Sequence, residues 1–351
     1  MFVPKFQITS NILTNIAKIE ACKAIIENAP LVPSWEAQFR QEAMVRAVYH
    51  GTHIEGNKLN LEEAQEVLDG RQVEGRERDI QEIINYRNVV KYMDVLRERG
   101  DKQINLEEAL YLHKLIVDKI LPDEAAGQFR QKPVLVKNMR TGEVSFTPPK
   151  SVLVPHLVNE FLTWLNAPQH IHPIIKASIC HYELARIHPF LDGNGRWARA
   201  MATLVLFLAG YDIKRFFTLE EYYDRNAQKY YLTLQHVSNQ LEIGESGRDL
   251  TEWIEFFCEG LMVELAKVKE KVLRLSGDAR LREKVGQLAL SERQAKIMEY
   301  MQNYSRISNK EWQSLLPDVS DDTILRDMKF LMRKNLIRKK GHTKASIYIL
   351  R

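Results

Sequence analysis

Apolar residues recur at helical spacing through most of this chain, and capping and breaking residues cut the recurrence into helix-sized pieces. Ile12, Ile16, Ile19, Cys22 and Ile26 line one face of a helix expected over 8–28. Pro30 and Pro33 break it, and Ser34 is placed to cap a second helix reaching about Tyr49. Asn60-Leu-Glu-Glu63 and Asn105-Leu-Glu-Glu108 have the spacing of capping boxes and open two further helices. Between these, 79–97 reads as a long amphipathic helix stopped by Gly100. His113, on the helix opened by Asn105, reads as a structural histidine. Residues 152–165 give another helix, and 173–187 is apolar on more than one face, the mark of a buried helix. Helices over 196–208, 220–237 and 250–275 complete this pattern.

Two stretches depart from it. Residues 133–147 hold two short β-type runs around the turn-rich patch Asn138–Gly142, which predicts a hairpin. After a linker expected at 274–284, three short helices open at Ser291, Ser308 and Ser320, followed by strand, turn and strand over 337–339, 341–344 and 346–350. That order resembles a winged helix-turn-helix, with 323–334 as recognition helix and 341–344 as wing tip. The resemblance makes Arg326, Lys329, Arg333 and Lys344 candidate DNA contacts, with docking of a protein as the competing use. Charge leans the same way. Residues 285–351 carry 13 Lys and Arg against 7 Asp and Glu, so this tail is +6 and the rest −2 in a chain of net +4.

Composition narrows the class. At 351 residues with 45% hydrophobic and 27% charged positions, a soluble protein of two domains is expected. Three widely spaced cysteines without a Cys-x-x-Cys pair fit core fillers in a reducing, cytoplasmic setting. The opening Met-Phe-Val-Pro-Lys-Phe-Gln has no secretory pattern, and the longest apolar run, near 200–210, is too short for a membrane span.

The chemistry concentrates in 187–199, Ile-His-Pro-Phe-Leu-Asp-Gly-Asn-Gly-Arg-Trp-Ala-Arg. Asp192-Gly-Asn-Gly195 forces a tight loop whose successive N–H groups can form an anion nest. A helix expected to start at Arg196 adds its dipole, with Arg196 and Arg199 on neighbouring faces. A carboxylate beside a phosphate nest suggests a bridging Mg²⁺, so Asp192 is the candidate metal ligand. His188, ahead of the loop, is placed to act as a general base near neutral pH. His181 and His188 lie seven apart without a third ligand, which argues against zinc. The residues describe a site that moves a phosphate-bearing group.

The same stretch resembles the Fic signature His-Pro-Phe-x-(Asp/Glu)-Gly-Asn-Gly-Arg-x-x-Arg, matched at His188, Pro189, Phe190, Asp192, Gly193, Asn194, Gly195, Arg196 and Arg199. The resemblance implies a mainly α fold: a Fic-type helical bundle with a β-hairpin flap, here followed by the winged-helix-like tail. It implies transfer of AMP from ATP, with Mg²⁺, to a Ser, Thr or Tyr hydroxyl of a protein target, which could be the chain itself. Domains are then expected as an N-terminal helical region over 1–100, a catalytic core over 101–273 and a tail domain over 285–351. By the same resemblance Gly193, Asn194, Gly195 and Arg196 hold phosphates, Arg199 takes the γ-phosphate, and Tyr230 packs near the adenine. The strand Val134, Leu135, Val136, Lys137 becomes the target-docking flap. Family members that phosphorylate their targets carry Lys where this chain has Gly195, so Gly favours AMP transfer.

Gly51-Thr-His-Ile-Glu55-Gly56 resembles the family's inhibitory motif, (Ser/Thr)-x-x-x-Glu-(Gly/Asn), in the class whose inhibitory helix is N-terminal. Glu55 would then pair with Arg199 and autoinhibit the site. Gly51 departs from the motif's hydroxyl, with Thr52 one residue displaced, and that predicts a leakier inhibition. Two alternatives stay open: an ATP-sensing, DNA-binding transcriptional regulator, and a hydrolase that removes AMP using the glutamate. Monomer and homodimer are both open.

Overall fold

In the computed structural model, the residues described are 2–29, 31, 33–100, 102–137, 144–168, 170–240, 248–286, 291–304, 306–317, 319–334, 336–341 and 347–350. They form fourteen α-helices, a two-stranded hairpin and a three-stranded sheet. By backbone contacts the chain divides into two units, one of 1–28 and 33–270, the other of 29–32 and 271–351.

The first unit opens with α1 (Ser10–Asn28) and α2 (Pro33–His53). α2 runs four residues past the expected end, so Gly51 and Thr52 belong to its last turn. The two expected capping boxes are both present: Asn60 opens α3 (Leu61–Leu68) and Asn105 opens α5 (Leu106–Ile116), each exchanging bonds with the glutamate three residues on. Between them lies α4 (Glu77–Arg99), closed by Gly100 in the left-handed conformation. Val48, Leu59, Val67, Ile83 and Tyr86 bury a small core among α2, α3 and α4. Each such side chain, fully buried, contributes about 1.5–3 kcal/mol.

α6 (Val154–Asn166) packs on α7 (Pro173–Ile187), and α7 packs on α8 (Asn194–Leu208). α7 has the bounds expected, and eleven of its fifteen residues are buried. Indole N–H groups tie this layer to its neighbours: Trp197 to the Ala109 carbonyl and Trp253 to the Ser178 carbonyl, both at 2.7 Å. The expected helix over 220–237 is two, α9 (Leu219–Arg225) and α10 (Ala227–Ser238), parted at Asn226.

Among the described residues of the hairpin, β1 (Val136–Lys137) and β2 (Val144–Phe146) pair, antiparallel, and Val134 and Leu135 lead into the strand instead of belonging to it. The turn expected at Asn138–Gly142 lies outside the described residues.

The linker expected at 274–284 is helical. α11 runs unbroken from Thr251 to Gly286. Ser276-Gly-Asp278 contains no proline, and one glycine costs a helix only about 1 kcal/mol, which the Ala-, Leu-, Arg- and Lys-rich flanks offset.

The second unit carries α12 (Glu292–Tyr304), α13 (Asn309–Leu315) and α14 (Asp321–Arg333). Ser291 and Gln294 exchange capping bonds before α12, as do Ser308 and Glu311 before α13. β4 (Ile337–Lys340) and β5 (Ile347–Leu350) pair as expected. An unexpected strand, β3 (Arg306–Ser308), adds to the other side of β5, giving the order β3-β5-β4. Met301, Ile307, Trp312, Ile324, Met328 and Leu331 form its core.

Candidate active site

The buried α7 delivers His188 at its C-terminal end. His188 takes a left-handed conformation (φ 50°, ψ 60°) and donates its N–H to the Leu184 carbonyl, closing the helix. Its Nδ1 lies 3.2 Å from the Ala185 carbonyl. A carbonyl can only accept, so Nδ1 carries the proton and Nε2 keeps the lone pair a base needs. Burial lowers the pKa of this imidazole below its ordinary value, a nearby carbonyl and Glu55 opposing the shift.

The loop that follows is held from inside. Asn194 exchanges two bonds of 2.9 Å with the backbone N–H and carbonyl of Phe190, and its side chain is buried. His113 stacks on Phe190 at 3.5 Å between ring centres. It receives the Gly127 N–H on Nδ1 and so donates from Nε2 to the Asp192 carbonyl. Burial drives its pKa down to about 4, which keeps it neutral in that role. His113 thereby fixes the loop.

α8 begins at Asn194, two residues before the expected Arg196, because Gly193 (φ 78°) supplies the left-handed turn at its N-cap. Asn194, Gly195 and Arg196 therefore stand in the first turn, where backbone N–H groups have no acceptor within the helix. Asn194 can serve an anion only through its backbone, since its amide is spent on Phe190. Arg196 and Arg199 are 2% and 1% exposed, and the Nε of each is buried without a hydrogen-bond partner. Orphaned guanidinium donors beside an open helix N-terminus fit a polyanion such as a triphosphate.

Glu55 covers that place. Its Oε1 is 2.8 Å from Arg199 Nη1, while Arg199 Nη2 donates to the Gly51 carbonyl at 2.9 Å. Burial works against the charge of Arg199, and Glu55 together with Tyr230, Tyr86 and Tyr231 outweighs it, so the guanidinium stays firmly protonated. A Cβ at Gly195 would collide with Glu55 Oε1, so the glutamate lies directly over the nest. Thr52 does not stand in for the motif's missing hydroxyl, because its Oγ1 bonds back to the Val48 and Tyr49 carbonyls within α2. Gly51 itself has a steric reason: a Cβ there would come within 2.7 Å of Cε1 of buried Tyr86.

Asp192 faces two cations. Arg78 Nη2 is 2.6 Å from its Oδ2 and Arg196 Nη2 is 3.3 Å from its Oδ1. Burial works against its charge, but Arg196 and then Arg78 hold it below the usual carboxylate range. Among the described residues no group of three or more His, Cys, Asp or Glu side chains could hold a metal ion. A lone carboxylate suits an ion that arrives on nucleotide phosphates, which is how Mg²⁺ is commonly held. Arg78, Glu82 and Arg130 were not picked out in the sequence. Buried Glu82 accepts from Asn57 at 3.0 Å and from Arg78 at 3.2 Å, and lies 3.3 Å from Arg196 Nη1 without hydrogen-bond alignment.

Tyr230 is 2% exposed, with its hydroxyl 3.0 Å from His181 Nε2, so its ring is core packing and not an open platform for adenine. Tyr231, its half-exposed neighbour, donates to the Ile54 carbonyl of the segment that carries Glu55. Of the residues expected to meet DNA, Arg326, Lys329 and Arg333 are exposed on α14, and Lys344 lies outside the described residues. No helix among the described residues is long and apolar enough to cross a membrane.

Residues 103–206 match the Fic/DOC family model. The chain is 34% identical over 175 residues to the protein adenylyltransferase Fic of Aedes aegypti, a match covering 49% of this chain and 34% of that protein. The corresponding protein of Drosophila grimshawi is 35% identical over 176 residues, again 49% of this chain and 35% of the relative. The chain thus spans about a third of the length of these curated relatives. Among solved structures, a Fic family protein from Desulfovibrio desulfuricans G20 matches with a TM-score of 0.69 at 23% identity, over 100% of this chain and 98% of that one. Fic-1 of C. elegans matches with a TM-score of 0.57 at 22% identity, over 74% of this chain and 72% of the other. Residues 103–206 are thus similar to the Fic/DOC family model, on a helical fold shared with the solved Fic family structures.

Proposed function

We propose that this protein transfers AMP from ATP to a hydroxyl side chain of a protein target and is held in check by Glu55. The ion pair between Glu55 and Arg199 carries the reading, since it places a carboxylate where orphaned guanidinium donors await phosphate. With Glu55 displaced, Arg199 takes the γ-phosphate, and the N–H groups of Asn194, Gly195 and Arg196 hold the rest of the chain of phosphates. Asp192 would hold Mg²⁺, which when bound neutralises phosphate charge. His188 Nε2 accepts the proton of the target hydroxyl as its oxygen bonds to Pα, and the bond from Pα to the bridging oxygen breaks to release pyrophosphate. Catalysis of this kind is chiefly positioning and charge stabilisation. The hairpin β1–β2 would present the target by strand addition. Incubation of the Glu55→Gly protein with Mg²⁺, cell lysate and ATP labelled at the α- or γ-phosphate tests it. Protein should acquire the α-label only; γ-label transfer or none at all sinks the reading.

For Asp192 to meet a metal, Arg78 must leave it. That contact is half exposed, and such pairs are worth roughly 0.2–1 kcal/mol. Arg78→Ala in the Glu55→Gly background should therefore tighten Mn²⁺ binding to the nucleotide complex about 1.5- to 5-fold, read by paramagnetic resonance. Unchanged or weaker binding would count against Asp192 as the ligand.

A second reading concerns the tail. α14 buries Ile324, Met328 and Leu331 and leaves Arg326, Lys329 and Arg333 exposed, beside exposed Arg338, Lys339 and Lys340 of β4. These exposed basic residues support a winged-helix role in DNA binding. If Arg326 and Lys329 meet phosphates, changing each to Ala should lower the slope of log affinity against log salt by about 0.9. Duplex binding that is unaltered in both variants unseats α14 as the reading helix.

A further inference from the structure

We propose that Arg130 is a positioning residue that locks the legs of the β1–β2 hairpin to the backbone of His188, so that target docking and the general base are set by one side chain. The inference rests on the adenylyl-transfer reading above and adds a residue that neither the signature nor the inhibitory motif contains.

Arg130 is 2% exposed, yet every hydrogen bond of its guanidinium runs to a neutral backbone carbonyl. Nε donates to His188 O at 2.8 Å, and Nη2 reaches Ile187 O at 3.5 Å. Those two contacts could be explained as a cation closing the C-terminus of α7. The others could not. Nη1 donates to Lys132 O at 3.2 Å and Nη2 to Pro149 O at 2.6 Å, and these residues flank the hairpin on either side. The backbone N–H of Arg130 also donates to Pro189 O at 2.9 Å. The Ser151 hydroxyl closes the same base by donating to Gln131 O at 2.9 Å.

This geometry matters because of the conformation it supports. A non-glycine residue in the left-handed region is strained and persists only where its surroundings over-determine it. His188 is such a residue, and Arg130 holds its carbonyl. A rigid guanidinium fork can satisfy these four carbonyls at once, and a Lys ammonium, with three donors on a flexible stem, cannot. Loss of the fork lets the hairpin base and the His188 carbonyl move independently. The phosphate nest, which is built by Gly193–Arg196 and Arg199, is left as it was.

The test uses the full chain in the Glu55→Gly background, with Arg130→Met and Arg130→Lys. AMP transfer to target is expected to fall about 100-fold in kcat for Arg130→Met and about 10-fold for Arg130→Lys. The Kd for a fluorescent ATP analogue should stay within about threefold in both. Hydrogen exchange should rise together at residues 131–137 and 186–190 in Arg130→Lys, whether or not a target is modified. If Arg130→Met does not fold, Arg130→Lys decides. Unchanged kcat, a loss of nucleotide binding in step with kcat, or faster exchange at only one of the two segments overturns the proposal. If the Glu55→Gly parent transfers no AMP, the function reading fails by itself, and the paired exchange still decides the tie.

Discussion

Changing His188 to Ala is expected to lower AMP transfer by about 10²- to 10⁴-fold, the usual worth of a positioned general base, while ATP affinity stays within about threefold. The split follows from geometry. The imidazole sits at the end of α7 with Nδ1 committed to the Ala185 carbonyl, and nothing in the phosphate nest depends on its ring. The pH dependence has a definite sign. A base works deprotonated, and burial lowers the folded pKa of His188 below its ordinary 6.5. Activity is therefore fully present above that folded value and lost as pH falls through it, so the acid limb of kcat should lie below pH 6.5. Glu55 opposes the shift, and its removal should move the limb further toward acid. Stopped-flow or quenched assays between pH 5 and 8 measure this. A limb that persists unchanged in His188→Ala would assign it to another group.

The signature was legible because its parts are contiguous: one helix end, one loop and one helix start carry the base, the nest and both arginines. The periodicity of α7 and the capping boxes of α3 and α5 were legible for the same local reason. Contacts made across the fold were not. Arg78 and Arg130 reach Asp192 and His188 from 114 and 58 residues away, and in the sequence each is one more surface-type arginine. The expected linker failed because Ser-Gly-Asp is a weak breaker inside a long helix-forming run. β3 escaped notice because three residues leave no period to detect. Tyr230 was matched by position in its segment, but the second of two adjacent tyrosines on a helix faces elsewhere, and burial falls on the first. Gly51 read as a lost hydroxyl. In the fold it is a close approach, made necessary by Tyr86, whose own hydroxyl is held by Glu220 at 2.9 Å.

Glu55→Gly is expected to raise the transfer rate about 10- to 100-fold, equivalent to roughly 1.4–2.8 kcal/mol of competition removed from Arg199. The figure is bounded by the pair's burial. Arg199 is 1% exposed but Glu55 is 28% exposed, so the contact is partly screened and falls short of a fully interior ion pair. The same substitution should cost stability without nucleotide, because it leaves a buried guanidinium with the Gly51 carbonyl as its remaining neighbour from α2. A loss of about 1–2 kcal/mol corresponds to a fall in Tm of roughly 2–8 °C for a unit of this size. ATP should then restore more of that fall in the variant than it adds to the parent, since phosphate replaces the lost carboxylate. The opposing signs distinguish an inhibitor from a merely structural glutamate: the variant must be less stable empty, more responsive to ATP, and faster. Glu55→Gln, which keeps the bulk over Gly195 but not the charge, should fall between. If Glu55→Gly melts lower yet gains neither rate nor ATP response, the pair is structural and the site is regulated by other means.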